Sequence, residues 1–291
     1  MRIGVSSYSY RQLVRSGELL ETDLPAKARE MGFDVIEFSA FNKPEGVSAE
    51  DHADKLREAA DKAGIDIVNY TIWADFLTGS NGDLAAEIER VKGEVEIARR
   101  LGVPGMRHDA TGGFPADHVG PRSFDAALPR LAEGCREVSE YAAQFGIRTM
   151  VENHGFFCQD SIRVEKLVTR VNHPNFGVLI DMGNFICADD DPPTAVGRLM
   201  PYAFHCHAKD FHLKSGSEAH PGEGWNISRG GNFWRGAIIG HGNVPILQCL
   251  RVMRRFNYKG VLSIEFEGME EPLQGIAIGQ ANLRRYLEII G

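Results

Sequence analysis

The chain predicts an α/β fold, a single (β/α)8 barrel over residues 1–291 with one long insert between strand seven and helix seven. Three observations carry this reading. Short β-branched or apolar runs alternate with longer amphipathic segments from end to end. Eight such runs can be counted. The average unit of about 36 residues, 291/8, suits a strand, a loop, a helix and a return loop. An open doubly wound sheet is the alternative arrangement of the same alternation.

The expected strands are Arg2–Ser7, Asp34–Ser39, Asp66–Thr71, Gly105–His108, Arg148–Glu152, Gly177–Asp181, Ala203–His207 and Gly260–Glu265. Gly32, Gly64, Gly102 and Gly146 each stand between a helical segment and the apolar residue that feeds the next strand, the position of a left-handed helix C-cap. Asp189-Asp190-Asp191-Pro192-Pro193 reads as a turn and helix start rather than a metal-binding run. The segment from Asp210 to about Asn243 is much longer than the other connections and rich in Gly, His and Trp. Loops after barrel strands build the active-site end, so Trp225, Phe233 and Trp234 are expected to line or cover a pocket, with a subunit contact or a small core of the insert's own as the alternatives.

Composition excludes several classes. Lys+Arg number 32 against 40 Asp+Glu, a formal charge of −8, and no Lys/Arg run is present, which argues against affinity for phosphate backbones. No stretch approaches the roughly 18 consecutive apolar residues of a membrane span, and Met1-Arg2-Ile3-Gly4-Val5 reads as a strand rather than a signal segment. A cytoplasmic location is expected. The five cysteines are scattered, without a C-x-x-C pair, and read as reduced, mostly buried thiols. No nucleic-acid or membrane partner is expected, and the composition is compatible with a homo-oligomer.

The strongest signal lies at four consecutive strand ends. Strand five ends in Glu152, strand six in Asp181, strand seven carries His207 and strand eight Glu265. In a barrel these ends open into one bowl. A carboxylate inside a run such as Val178-Leu179-Ile180-Asp181 is costly to bury unless paired or metal-bound. Two Glu, one Asp and one His, without thiolate, suit one divalent ion, Mn²⁺ first, with Mg²⁺ or Co²⁺ as alternatives. His205 shares the parity of His207 and lies one layer deeper, a core or supporting histidine.

In their order along the chain, Gly32-Phe33-Asp34-Val35-Ile36-Glu37, Glu152, Asp181-Met182-Gly183-Asn184, His207-Ala208-Lys209-Asp210, Gly240-His241-Gly242-Asn243 and Glu265 resemble the xylose isomerase-like TIM barrel superfamily, the sugar phosphate isomerase/epimerase group. The resemblance implies that Glu152, Asp181, His207 and Glu265 hold one metal and that the two glutamates double as acid/base groups. Asn184 stands where ketose epimerases and the related endonucleases carry histidine, and His108 alone is too few histidines for a trinuclear nuclease site.

A metal-dependent sugar isomerase or epimerase working through an enediolate follows, with Glu152 and Glu265 across the bowl from each other as the acid/base pair. A lyase acting on a keto-sugar or oxidised glycoside needs the same proton chemistry, and a non-catalytic sugar-binding barrel is the reading from another class. His154, Lys209, Arg107, Glu37, Trp73 and Asn184 are the expected substrate contacts. For Arg107 a structural role in the barrel is the alternative, and for Glu37 pairing with such an arginine.

Overall fold

A computed structural model describes residues 1–291. In chain order its strands are β1 (Arg2–Ser6), β2 (Val35–Phe38), β3 (Asp66–Ile72), β4 (Gly105–His108), β5 (Arg148–Glu152), β6 (Phe176–Asp181), β7 (Ala203–Ala208), β8 (Asp210–Lys214), β9 (Asn226–Ile227), β10 (Phe233–Ala237) and β11 (Val261–Ile264). β1 to β7 and β11 make a closed barrel in which every neighbouring pair is parallel; Arg2–Val5 pairs with Val261–Ile264 to close it. Closure excludes the open sheet.

Both faces of a parallel barrel are covered, so its strands must be apolar almost throughout. All four residues of β2 and all six of β6 are buried. Glu37 and Asp181 break those two runs, and both belong to the site described below.

The outer layer comprises α1 (Arg11–Ser16), α2 (Leu24–Glu30), α3 (Ala49–Ala63), α4 (Leu84–Leu101), α5 (Phe124–Ala143), α6 (Ser161–Val171), α7 (Pro192–Leu199), α8 (Ile246–Arg255) and α9 (Pro272–Ile290). Their starts are set by side chains that accept an otherwise unpaired backbone N–H: Ser48, Asp83, Ser123, Asp160 and Asp191 each cap a helix this way. Asp191 and Pro192 thus open α7, as a helix start should. Gly32, Gly64, Gly102 and Gly146 have φ of +81°, +66°, +75° and +71°, the left-handed geometry expected of them.

The 210–243 segment departs from a plain loop. Its strands form a separate three-stranded antiparallel sheet in the order β8-β10-β9. Asp210 fastens its return, accepting from the backbone N–H groups of Gly240, Gly242 and Val244 at 2.8, 3.0 and 3.0 Å. Trp234 packs on Phe211 with ring centroids 4.7 Å apart.

The five cysteines are buried and unbridged, and burial pushes the Cys187 and Cys206 thiols up to about 12. No helix is long and apolar enough to cross a membrane.

Close strand packing gives a direct test. A Cβ built on Gly177 of β6 would lie 2.7 Å from the Tyr202 carbonyl and 2.7 Å from the Phe204 ring. Gly177→Ala is expected to destabilise by about 1–3 kcal/mol, the usual cost of overpacking. A thermal melt checks it; an unchanged melting temperature would mean that the two strands are not this close.

Candidate metal centre and substrate pocket

Strand register brings the expected ligands together. Asp181 lies directly opposite His207 in the β6–β7 ladder; Glu152 is the last residue of β5, and Glu265 follows β11 by one residue. One ligand atom from each of the four lies within 4.8 Å of the others. His207 Nδ1 stands 3.7 Å from Asp181 Oδ2 and 3.8 Å from both Glu152 Oε1 and Glu265 Oε2. These separations are too long for hydrogen bonds.

His207 Nδ1 and Asp181 Oδ2 are buried and make no hydrogen bond. Orphaned buried polar atoms are costly. Donors about 2.1–2.2 Å from a shared ion lie roughly 3–4 Å from one another, so three carboxylate oxygens and one imidazole nitrogen at these separations fit a divalent cation.

The ligands are themselves held. Asp181 Oδ1 accepts from the backbone of Gly183 and Asn184 at 2.8 and 3.0 Å, which leaves Oδ2 for the centre. Gly183 is required here by crowding: a Cβ would meet the Lys209 carbonyl at 2.9 Å. Below the centre, Glu37 Oε1 lies 2.6 Å from His207 Nε2 and Glu37 Oε2 lies 2.7 Å from His205 Nε2. With Nε2–H donated to Glu37, the imidazole of His207 is aimed with Nδ1 at the three carboxylates.

This corrects the expectation for Glu37. It is fully buried, its partners are histidines rather than an arginine, and it does not line the cavity. A position in mid-strand, a layer below the rim, is the reason. His205 does lie in the deeper layer.

Cations balance the carboxylates. Lys209 Nζ lies 2.5 Å from Glu265 Oε2 and 3.1 Å from Asp181 Oδ2, and donates to Asn184 Oδ1 at 3.2 Å. Arg107 pairs through Nε with Glu152 Oε2 at 2.6 Å and forks onto both oxygens of Asp109 at 3.0 Å. Asn184 Nδ2 donates to Glu152 Oε1 at 3.0 Å.

The protonation equilibria follow from these contacts. Burial raises the Asp181 carboxyl, yet Lys209, His207 and the Asn184 backbone N–H outweigh it and hold it down to about 2. Glu265 is likewise lowered against burial, by Lys209 and His207. Glu152 goes the other way, because desolvation exceeds the pull of Arg107 and His207. Burial also opposes the charge on His207 and Lys209, but the surrounding carboxylates raise both.

Above the cluster opens a cavity of about 400 Å³. Of the expected substrate contacts, Trp73, Arg107, His154, Asn184 and Lys209 line it. His154 is anchored by Asp109 Oδ1, 2.8 Å from Nδ1. Trp234 of the insert also lines it, but Trp225 does not: its ring lies under Arg235 and Lys214 at 5.7 and 6.0 Å. Of Trp225, Phe233 and Trp234 only Trp234 lines the cavity; Phe233 is buried in the insert's own packing, the alternative left open for it.

Sequence reasoning missed Asp109, Gln159 and Phe156. Asp109 directly follows Arg107-His108 at a strand end, the same signal that marked Glu152. No comparable signal marks Phe156, an apolar residue in a loop.

A family model for the xylose isomerase-like TIM barrel matches residues 25–286, and the chain belongs to that family. Among curated proteins it is similar to an inosose dehydratase of Lacticaseibacillus casei, 22% identical over 148 residues, 50% of this chain and 49% of the relative. The chain thus aligns with about half the length of that relative. Solved structures of the same fold include an L-ribulose 3-epimerase, with TM-score 0.73, 16% identity and coverage of 99% of this chain and 95% of the other. Another is a 3-keto-D-glucoside 4-epimerase from E. coli, with TM-score 0.70, 16% identity and coverage of 98% and 99%.

Removing the acceptor beneath the centre tests its architecture. Glu37→Ala removes the carboxylate shared by two buried imidazoles, leaving His205 Nε2 only Ser263 Oγ at 3.0 Å, and is expected to cost about 3–5 kcal/mol, against a smaller loss in Glu37→Gln. Urea unfolding of both variants measures it, and a loss below about 1 kcal/mol in the alanine variant would contradict the buried network.

Proposed function

We propose that this protein is a divalent-metal-dependent sugar isomerase or epimerase, with Glu152, Asp181, His207 and Glu265 as ligands and Glu152 and Glu265 as the acid/base pair. The observation that carries the reading is the convergence of three carboxylate oxygens on the orphaned Nδ1 of His207, directly beneath a cavity that two of those carboxylates, Glu152 and Glu265, line. Mn²⁺ is the ion best suited to this donor set, ahead of Mg²⁺ and Co²⁺. When bound, it supplies Lewis-acid polarisation of a sugar carbonyl and an adjacent hydroxyl.

The chain's own residues supply the proton transfers. One of the two glutamates accepts the proton from the carbon next to the carbonyl; the C–H electron pair becomes the new C=C bond and the carbonyl π pair moves onto oxygen to give an enediolate. The other returns a proton to carbon, and the carbonyl re-forms. Return to the opposite face of the same carbon is epimerisation; return to the neighbouring carbon is aldose–ketose isomerisation. Lys209, Arg107, His154 and Asn184 bind sugar oxygens, and Trp73 meets the C–H face of the ring.

The match to an inosose dehydratase favours one further reading, a lyase that removes the same α-proton and then expels a β-hydroxyl. Both readings require proton exchange with solvent.

Nuclear magnetic resonance in D2O with Mn²⁺-loaded protein and a panel of ketoses, aldoses and keto-glycosides is expected to show α-deuteration that a chelator abolishes. The product distinguishes the readings: a new stereoisomer for an epimerase, a dehydrated sugar for a lyase. Glu152→Gln and Glu265→Gln are each expected to lose at least 10²-fold in exchange. Full exchange in either variant would remove that residue from the acid/base pair.

Asp181→Ala and His207→Ala are expected to weaken Mn²⁺ binding by at least 10²-fold, read by titration calorimetry of the purified protein. Second-layer changes alone cost about 10–100-fold. Unchanged affinity would place the ion elsewhere.

A further inference from the structure

Besides Trp234 of the insert, the loop after β5 contributes an aromatic residue to the cavity wall. Phe156 has φ +62°, in the left-handed region that a bulky side chain seldom adopts. Its ring is 48% exposed and lines the cavity. Core packing does not account for this, since half the ring faces solvent, and Gly or Asn would take the same backbone without strain.

The conformation is held from two sides. Gln159, itself buried, accepts from the Phe156 N–H at 2.5 Å and donates to the Asn184 carbonyl at 2.7 Å, which ties the loop to the site. Arg229 of the insert donates to the Phe156 carbonyl and, at 2.8 Å, to Asp160 at the start of α6. Trp73, 50% exposed, stands on the same cavity edge-on to His154. Strain maintained by surrounding contacts is a recurrent feature of ligand clamps. The floor of the cavity is charged while its mouth presents aromatic faces, and its volume falls in the roughly 300–1,000 Å³ range of drug-sized ligands.

We infer that Phe156 and Trp73 form a stacking platform for a second ring carried by the substrate, so that the reacting sugar is an oxidised (keto) glycoside whose aryl aglycone or second saccharide lies on these side chains. This rests on the sugar chemistry proposed above and adds a specificity determinant to it. Saccharide C–H faces and aryl rings both stack on aromatic side chains. The polar floor binds the reacting ring, and the platform binds what is attached to it.

The test compares binding of the 3-keto derivatives of methyl β-D-glucoside, 4-nitrophenyl β-D-glucoside and cellobiose to the metal-loaded protein by titration calorimetry. The ring-bearing probes are expected to bind about tenfold more tightly than the methyl glycoside. Phe156→Asn keeps a left-handed backbone and deletes the ring, so it should abolish the advantage; Phe156→Tyr should retain it, and Trp73→Ala should reduce it. An advantage confined to the nitrophenyl probe identifies an aryl aglycone, and one confined to cellobiose a second saccharide.

Equal affinity for all three probes overturns the platform, as does an advantage that survives in Phe156→Asn. Failure of every glycoside to bind, in a protein that exchanges deuterium into free ketoses, also overturns it while leaving the sugar chemistry intact. Absence of both binding and exchange would overturn the two readings together.

Discussion

Five carboxylates, those of Glu37, Asp109, Glu152, Asp181 and Glu265, crowd the carboxyl end of a barrel whose strands are otherwise apolar. Burying one ionised carboxylate without a partner is severely unfavourable, and burying several together adds their mutual repulsion. The structure meets this constraint by interleaving cations. Arg107 bridges Asp109 and Glu152, Lys209 bridges Asp181 and Glu265, and two imidazoles share Glu37. After these pairings His207 Nδ1 still lacks a partner, and Asp181 Oδ2 has only the Lys209 ammonium at 3.1 Å. The remaining deficit has the size and donor chemistry of a divalent ion.

Everything that shapes the bowl can be traced to keeping this arrangement rigid. Asn153 exchanges hydrogen bonds with the backbone of Asp181 in both directions at 2.9 Å, which locks β5 to β6 at the level of the ligands. Glu37 fixes the ring of His207 from below, and Asn184 links Glu152 to Lys209 from the side. Precision of this kind is expected where a site must hold an ion and move a proton between two carboxyls.

The insert enters the same network from above. Asp210, one residue after Lys209, fastens its return loop, so the Gly240-His241-Gly242-Asn243 stretch is held by backbone hydrogen bonds rather than offering a side chain to the floor. Arg229 reaches from the insert to the β5 loop, and Trp234 forms part of the wall. The insert thereby governs the mouth of the cavity, while the barrel strands govern its base. Division of labour between conserved geometry of a scaffold and variable loops is what allows one fold to serve different sugars.

Periodicity, glycine placement and strand-end carboxylates made the barrel and the four converging residues legible, because each depends on local spacing and on which ends of parallel strands share a bowl. Glu37 was legible as unusual but not in its role: the same mid-strand parity serves a substrate contact and a buried support, and only depth within the barrel separates them. Trp225 and Phe156 exchanged places for a related reason. An aromatic residue in a long loop carries no record of which way its ring faces, and the left-handed backbone of Phe156 is imposed by Gln159 and Arg229, partners 3 and 73 residues away. The sequence by itself therefore determined the alternation, the closure-compatible unit length and the chemical identity of the converging residues. Tertiary structure alone decided which imidazole nitrogen faces the carboxylates, which cation neutralises which acid and which aromatic rings line the cavity, because those outcomes depend on angstrom-scale distances between elements far apart in the chain.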